Sequence, residues 1–225
     1  LKSNDEIDAY VIFDADNVVH REFLNKMNDS INCGYEVVQG FRDTKNICDN
    51  WLSTSYAILY YLQSLFINKS RFNFGMSSFL NGTGFMVKKE TIDRYGYDPK
   101  TITEDIEYTA ICAINGIKIA FNENAITYDE QVTDFKSSLK QRKRWSFGAI
   151  QCLKNYTGSL IKEGIKNKRF ECFDVIIFYF GIIFHVLFTI VSLIGIFYNV
   201  FYLNNFNSMD VVIYFIMFLI NYFIG

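Results

Sequence analysis

The 225-residue sequence has a single proline, two histidines and no Cys-x-x-Cys pair among its five cysteines. Half of the residues are hydrophobic and 18% are aromatic, so the near-absence of proline excludes a collagen-like, low-complexity or disordered chain. The scattered Cys33, Cys48, Cys112, Cys152 and Cys172 exclude zinc ribbons, thioredoxin-like redox motifs and dense disulfide scaffolds. They read as reduced, mostly buried thiols. His20 and His185 are too isolated to read as metal ligands. A formal net charge of -2 excludes a general nucleic-acid binder, and no nucleic-acid partner is expected.

The last scarcity is positional: Lys and Arg are missing altogether after Arg169. Residues 1–135 carry 12 basic and 20 acidic side chains, as in a soluble acidic domain. Residues 136–169 invert this, with ten Lys or Arg against Glu163 alone. Asp174 and Asp210 then bracket 35 uncharged residues. Of these, Val175 to Leu203 exceeds the ~20 residues that cross a bilayer. At ~1.5 Å per residue the run is about 43 Å long, so it tilts or begins in the interface. A transmembrane helix is expected over 173–203 and a second, truncated one over 209–225. The cations before the first span put the acidic domain in the cytoplasm of a multi-pass protein of the cell membrane. The chain begins at Leu1 without methionine or signal pattern and stops inside an apolar run, so a piece of a longer polypeptide is expected.

Asn50 to Asn68 is also uncharged over 19 residues. It contains Ser53, Thr54, Ser55, Gln63 and Ser64, and Leu52, Tyr56, Leu59, Leu62 and Phe66 recur at helical spacing, which reads as a core helix rather than a span. Ile7 to Phe13 has the continuous apolar character of a buried strand. Val37 and Val38, residues 85–88 and residues 117–122 suggest further strands. A helix from about Glu104 to Asn115 precedes Gly116 in the C′ position. Strands alternating with helices favour an α/β sandwich with a largely parallel sheet.

Three constellations carry chemistry. Asp14-Ala15-Asp16 closes a strand with two carboxylates two residues apart, suited to a divalent cation bridged to phosphates; an aspartate-capped turn is the structural alternative. Thr103-Glu104-Asp105 opens a helix. Thr101 with Glu104 fits a capping box, whereas a carboxylate held at a cleft serves as a general base. In Gln141-Arg142-Lys143-Arg144-Trp145, positions 141, 144 and 145 share a helical face. That face offers an amide, a guanidinium that grips a diphosphate and an indole that stacks on a sugar. A basic membrane-surface helix with an interfacial tryptophan is the alternative.

The order Asp-x-Asp, Thr-Glu-Asp, Gln-x-x-Arg-Trp, followed by apolar spans, resembles the membrane-embedded family 2 glycosyltransferases, such as cellulose, chitin, hyaluronan and poly-N-acetylglucosamine synthases. The resemblance implies a GT-A-like fold whose N-terminal half lies before Leu1, with residues 1–135 forming the C-terminal part of the catalytic domain and 136–172 a basic interfacial region. It implies that Asp14 and Asp16 hold Mg²⁺ or Mn²⁺ against a nucleotide sugar, a UDP-sugar for choice, and that Asp105 is the base of an inverting transfer. Gln141, Arg144 and Trp145 would complete the substrate site with Glu104. Asn81-Gly82-Thr83-Gly84 resembles the acceptor-side loop, with Gly82 close to a sugar. The implied product is a β-linked polysaccharide made at the membrane. A single-transfer glycolipid enzyme with a lipid acceptor is the alternative, and a catalytically silent scaffold bound to membrane lipid a second. Without the first half of the domain, this stretch alone is expected to be inactive.

Overall fold

The computed structural model describes residues 7–201 and Val212, without the side chains of residues 182, 183, 185, 186, 196 and 199–201. Two compact units are present, Leu1–Ile176 and Ile177–Gly225.

In the first unit, β1 (Ala9–Ile12), β2 (Val18–Val19), β3 (Val37–Thr44), β4 (Phe85–Lys88) and β5 (Ile119–Asp129) form one sheet in the order β1-β4-β3-β5-β2. The fold is mixed α/β. Its sheet is not largely parallel, however: β3 and β5 pair in parallel, while β1·β4, β3·β4 and β2·β5 are antiparallel. Alternation of strands and helices along the chain does not set strand direction. Here β4 enters between β1 and β3 against both, an insertion that local pattern does not encode.

The strand period of two sorts the core. Val37, Phe85, Val87 and Ile119 meet Tyr108 and Cys112 of α5 (Glu104–Asn115) on one face. Val38, Met86, Ala120 and Ala125 meet Phe23 and Met27 of α1 (Phe23–Asn32) on the other. Helix α5 ends as the sequence suggests, at Gly116 with φ 73°, a conformation that glycine adopts without a Cβ penalty.

The uncharged stretch from Asn50 is α2 (Trp51–Leu62), capped by Asn50 and continued by a π-helical segment (Gln63–Lys69) and the short α3 (Ser70–Asn73). Leu52, Tyr56 and Tyr60 are buried on its inner face. Leu62 and Phe66, expected on that same face, are exposed. The wider turn that begins at Gln63 carries Phe66 off the stripe, whereas Leu62 lies two residues past Tyr60 and so off the face of Leu52, Tyr56 and Tyr60. After α4 (Lys89–Tyr95), α5 and β5, the basic block forms one helix, α6 (Phe135–Lys166).

Helix α7 (Phe170–Phe201) runs on into the second unit. Among the described residues no helix is long and apolar enough to cross a membrane. The transmembrane helix expected over 173–203 is therefore not established by the structure. The second expected span, 209–225, lies outside the described residues apart from Val212.

Candidate functional site

The turn after β1 is held by Asn17 rather than by its aspartates. The Asp14 N–H donates to Asn17 Oδ1 at 2.7 Å and the Asn17 N–H to the Asp14 carbonyl at 3.1 Å. This removes the aspartate-capped turn as an explanation of the pair. Asp14 and Asp16 are exposed, and neither carboxylate takes a hydrogen bond among the described residues. Each offers an oxygen that, with one from Asp129 at the end of β5, falls in a cluster within 4.8 Å. Although Asp14 as a residue is open to solvent, partial burial of its carboxyl pushes it above its ordinary range; Arg42 opposes this, while Asp129, Asp16 and Glu104 add to it. Such crowding of like charge is what a cation relieves.

Asn17 also ties this turn to the glycine loop. Thr83 Oγ1 donates to Asn17 Oδ1 at 2.6 Å and accepts from the Asp14 N–H at 3.2 Å. The loop is fastened from below by the buried Gln39. Its Oε1 accepts the Asn81 N–H at 3.1 Å, and its Nε2 donates to the Thr83 carbonyl at 2.9 Å. At Gly82, φ is 89° and a Cβ would stand 3.4 Å from Asp105 Oδ2. The expected acceptor loop and the expected base are therefore neighbours.

Asp105 is half-buried, and its Oδ1 accepts the Ile106 N–H at 2.8 Å. Burial, reinforced by Glu104, pushes its carboxyl up to about 6, against the Ile106 N–H and Arg42. The Thr101–Glu104 capping box does not form. Thr103 is the N-cap and makes no side-chain cap bond. Glu107, one turn inside, instead takes the Lys100 N–H at 2.9 Å and the Thr101 N–H at 2.7 Å, together with the Tyr156 hydroxyl of α6. Burial alone would raise the Glu107 carboxyl, but these donors hold it below its usual range. With the loop N–H groups taken by Glu107, the Glu104 carboxylate receives no hydrogen bond among the described residues.

On α6, Trp145 packs edge-on against Tyr56, with ring centroids 6.1 Å apart. Half-buried, it packs against the cluster of Leu52, Tyr56 and Tyr60. Gln141 and Arg144 line an open groove of about 500 Å³ with Ile102, Val132, Lys140 and Phe147. Its wall at Ile102 adjoins Thr103-Glu104-Asp105, but Asp14 and Asp16 are not part of it. The three motifs thus reach the site in two groups, carboxylates around the glycine loop and Gln141 with Arg144 beyond Ile102.

Residues 10–224 match the model of glycosyl transferase family group 2. The chain belongs to this family. It is 25% identical over 199 residues to a protein of Bacillus subtilis (strain 168) named probable glycosyltransferase YdaM, covering 78% of this chain and 44% of that protein. The chain thus spans less than half the length of the curated relative it matches.

Arg42 and Asp129 are the site residues of this family 2 chain that the sequence reading missed. They lie 87 positions apart and meet because β3 and β5 run in parallel, with Arg42 paired to Thr127 and Asp43 to Tyr128. The sequence pointed to a strand only at Val37 and Val38; the structure extends it to Thr44 and buries Gln39 and Arg42 within it. A polar side chain in such a place needs a partner. For a cation, the fit is an open pair of carboxylates, Asp14 and Asp16, beside a third already engaged. Mg²⁺ commonly takes one or two protein carboxylates and completes its shell with phosphate oxygens and water.

Proposed function

We propose that the full-length protein transfers a sugar, with inversion, from a nucleotide sugar to a growing β-linked polysaccharide at a membrane. The observation that carries the reading is the placing of Asp105 Oδ2 against Gly82, on a loop that Thr83 and Asn17 join to the Asp14–Asp16 turn. This neighbourhood supports reading Asp105 as the base and Asp14 with Asp16 as the diphosphate side of one site.

In the reaction, Asp105 accepts the proton of the acceptor hydroxyl. The freed oxygen bonds to the anomeric carbon from the face opposite the diphosphate. The anomeric carbon–oxygen bond breaks, and the nucleoside diphosphate leaves with the electron pair. Glycine at position 82 leaves room for a sugar beside the base. Gln141, Arg144 and Trp145 complete the substrate site from α6, Arg144 with a guanidinium that pairs with phosphate. Asp14 and Asp16 hold Mg²⁺ or Mn²⁺, which when bound offsets charge on the departing diphosphate.

The membrane reading is supported by the 35 uncharged residues between Asp174 and Asp210 and by the outward face of α6. Phe135, Leu139, Ile150, Ile161 and Ile165 are exposed there, interleaved with exposed Lys136 and Lys154. Apolar side chains among lysines suit a bilayer surface with anionic lipid. The catalytic unit is then cytoplasmic.

The test is assay of the full-length protein in native membranes against a panel of nucleotide sugars, following nucleoside diphosphate release and product length. High-molecular-weight glycan that disappears in Asp105→Asn supports the reading. Discrete mono- or diglycosylated lipid would replace the polymer by a glycolipid product. No turnover with any donor would leave the silent scaffold.

A further inference from the structure

Arg42 stands between Asp129 and the glycine loop. It is 8% exposed, on a strand with neighbours on both sides. Its Nε donates to Asp129 Oδ2 at 2.9 Å, Nη2 donates to the same oxygen, and Nη1 donates to the Asn81 carbonyl at 2.6 Å. The guanidinium carbon lies 3.8 Å from the centroid of the Tyr60 ring. All three nitrogens, and one face of the plane, are therefore engaged within the protein.

Asp129 is equally committed. Besides Arg42, its Oδ2 accepts from Gln131 Nε2 at 3.0 Å and its Oδ1 from Asn17 Nδ2 at 3.2 Å. To ligate a cation, this buried carboxylate would have to surrender charge-assisted bonds from a buried guanidinium, which would then be left unpaired. Asp14 and Asp16 would surrender nothing comparable. Charge points the same way: three carboxylates with one Arg⁺ leave a net of about two negative charges, which one divalent cation neutralises.

We propose that Arg42 is the positioning residue of the site: by occupying Asp129 it leaves a two-carboxylate cation site, and by holding the Asn81 carbonyl it keeps Gly82 against Asp105. The inference rests on the transfer reading above. Both tasks need a planar fork that donates in two directions at once. A lysine supplies the charge but not the fork.

The experiment uses the full-length protein, with Mn²⁺ in the presence of UDP as the probe, bound Mn²⁺ read by electron paramagnetic resonance, and turnover measured in parallel. The Arg42→Met/Asp129→Asn double variant removes the pair as a unit, leaving the net charge unchanged and no buried ion alone. Its Mn²⁺ Kd is expected within about threefold of wild type, with kcat lowered at least tenfold and donor KM within about threefold, since misplacing a base by an ångström costs on the order of a hundredfold. Arg42→Lys is expected to behave alike. It decides the matter if the double variant is unfolded by thermal melt.

A tenfold or larger rise in the Mn²⁺ Kd of the double variant makes Asp129 a ligand and overturns the inference while leaving sugar transfer intact. Wild-type kcat in both variants overturns the positioning role. A wild-type protein that transfers sugar without binding Mn²⁺ overturns the cation half. If wild type binds Mn²⁺ and no donor is turned over, the transfer reading fails instead.

Discussion

Gly148 of α6 lies so close to Thr103 that a Cβ on it would stand 2.2 Å from Thr103 Oγ1 and 2.4 Å from Cγ2. The helix bearing Gln141, Arg144 and Trp145 therefore touches the N-cap of α5, two residues before Asp105, with no space between them. Gly148→Ala forces Thr103 or α6 to move. It is expected to cost about 1–3 kcal/mol of stability, as overpacking does, and to lower turnover at least tenfold. Thermal melting and initial rates on the full-length protein measure the two effects. Gly158, also inside α6 but with nothing within 4 Å of a Cβ, is the control: Gly158→Ala should leave turnover unchanged and raise stability by up to about 1 kcal/mol, as alanine does in a helix interior.

The raised carboxyl of Asp105 has a sign that can be checked. Burial pushes it up to about 6 in the folded protein, against an ordinary value near 3.9 in the unfolded chain. Between those values the folded state binds the proton more tightly. Stability contributed by the protonated form is therefore present below about pH 4 and lost as pH rises through about 6. At neutral pH the ionised side chain costs on the order of 2–3 kcal/mol. Asp105→Asn is accordingly expected to melt higher than wild type at pH 7.5, with the difference shrinking toward pH 4, and to have no measurable transfer. An inactive variant that melts lower would remove the argument for a strained base.

Activity should fall on the acid side as Asp105 takes up a proton, with the limb of kcat/KM near pH 6. Glu104 is the second cause of the raised value, after burial. Glu104→Gln removes that repulsion, so the acid limb is expected to move to lower pH. An acid limb that stays in place would mean that another group governs it.

At Gly82 a substitution acts twice. The positive φ strains any L side chain, by about 1–2 kcal/mol, and a Cβ would enter the space beside Asp105. Gly82→Ala is expected to raise acceptor KM or abolish transfer, with a melting loss of only a few degrees. Gly34, also at positive φ but with nothing within 4 Å of a Cβ, separates the effects: Gly34→Ala should show the strain and keep the activity.

The two faces of α6 should separate as well. Reversing Lys136 and Lys154 to Glu, both exposed and outside the groove, is expected to reduce binding to anionic vesicles, each lysine near such a surface being worth about 1 kcal/mol. Trp145→Ala should leave vesicle binding unchanged and impair transfer, because its ring lies against Tyr56 on the inward side. Co-sedimentation and turnover assays distinguish the two variants.

Helix α5 and strand β4 could be read to the residue because their signals are local: a helical period closed by Gly116, and a short apolar run after a glycine turn. The start of β5 was also legible, but its extension to Asp129 was not, since Asn122, Glu123 and Asn124 interrupt the apolar pattern where the pairing with β3 shifts between Gly40 and Phe41. The Thr101–Glu104 capping box failed for a related reason. The local rule was satisfied on paper, but Glu107, supported by Tyr156 from a distant helix, took the loop N–H groups instead.

What the amino-acid sequence determined by itself was chemistry and period: the acidic, basic and uncharged blocks, the helix that closes at Gly116, and the residue types able to hold a cation, take a proton or pair with phosphate. Which of those residues meet was decided by the tertiary structure alone. Arg42 reaches Asp129 because two strands 87 positions apart in their partners run in parallel, and Gly82 reaches Asp105 because Gln39 and Arg42 clamp the loop from beneath. Periodicity and capping are short-range consequences of backbone geometry, written in neighbouring residues. The pairing of distant strands is a property of the packed core, which no stretch of the chain carries on its own.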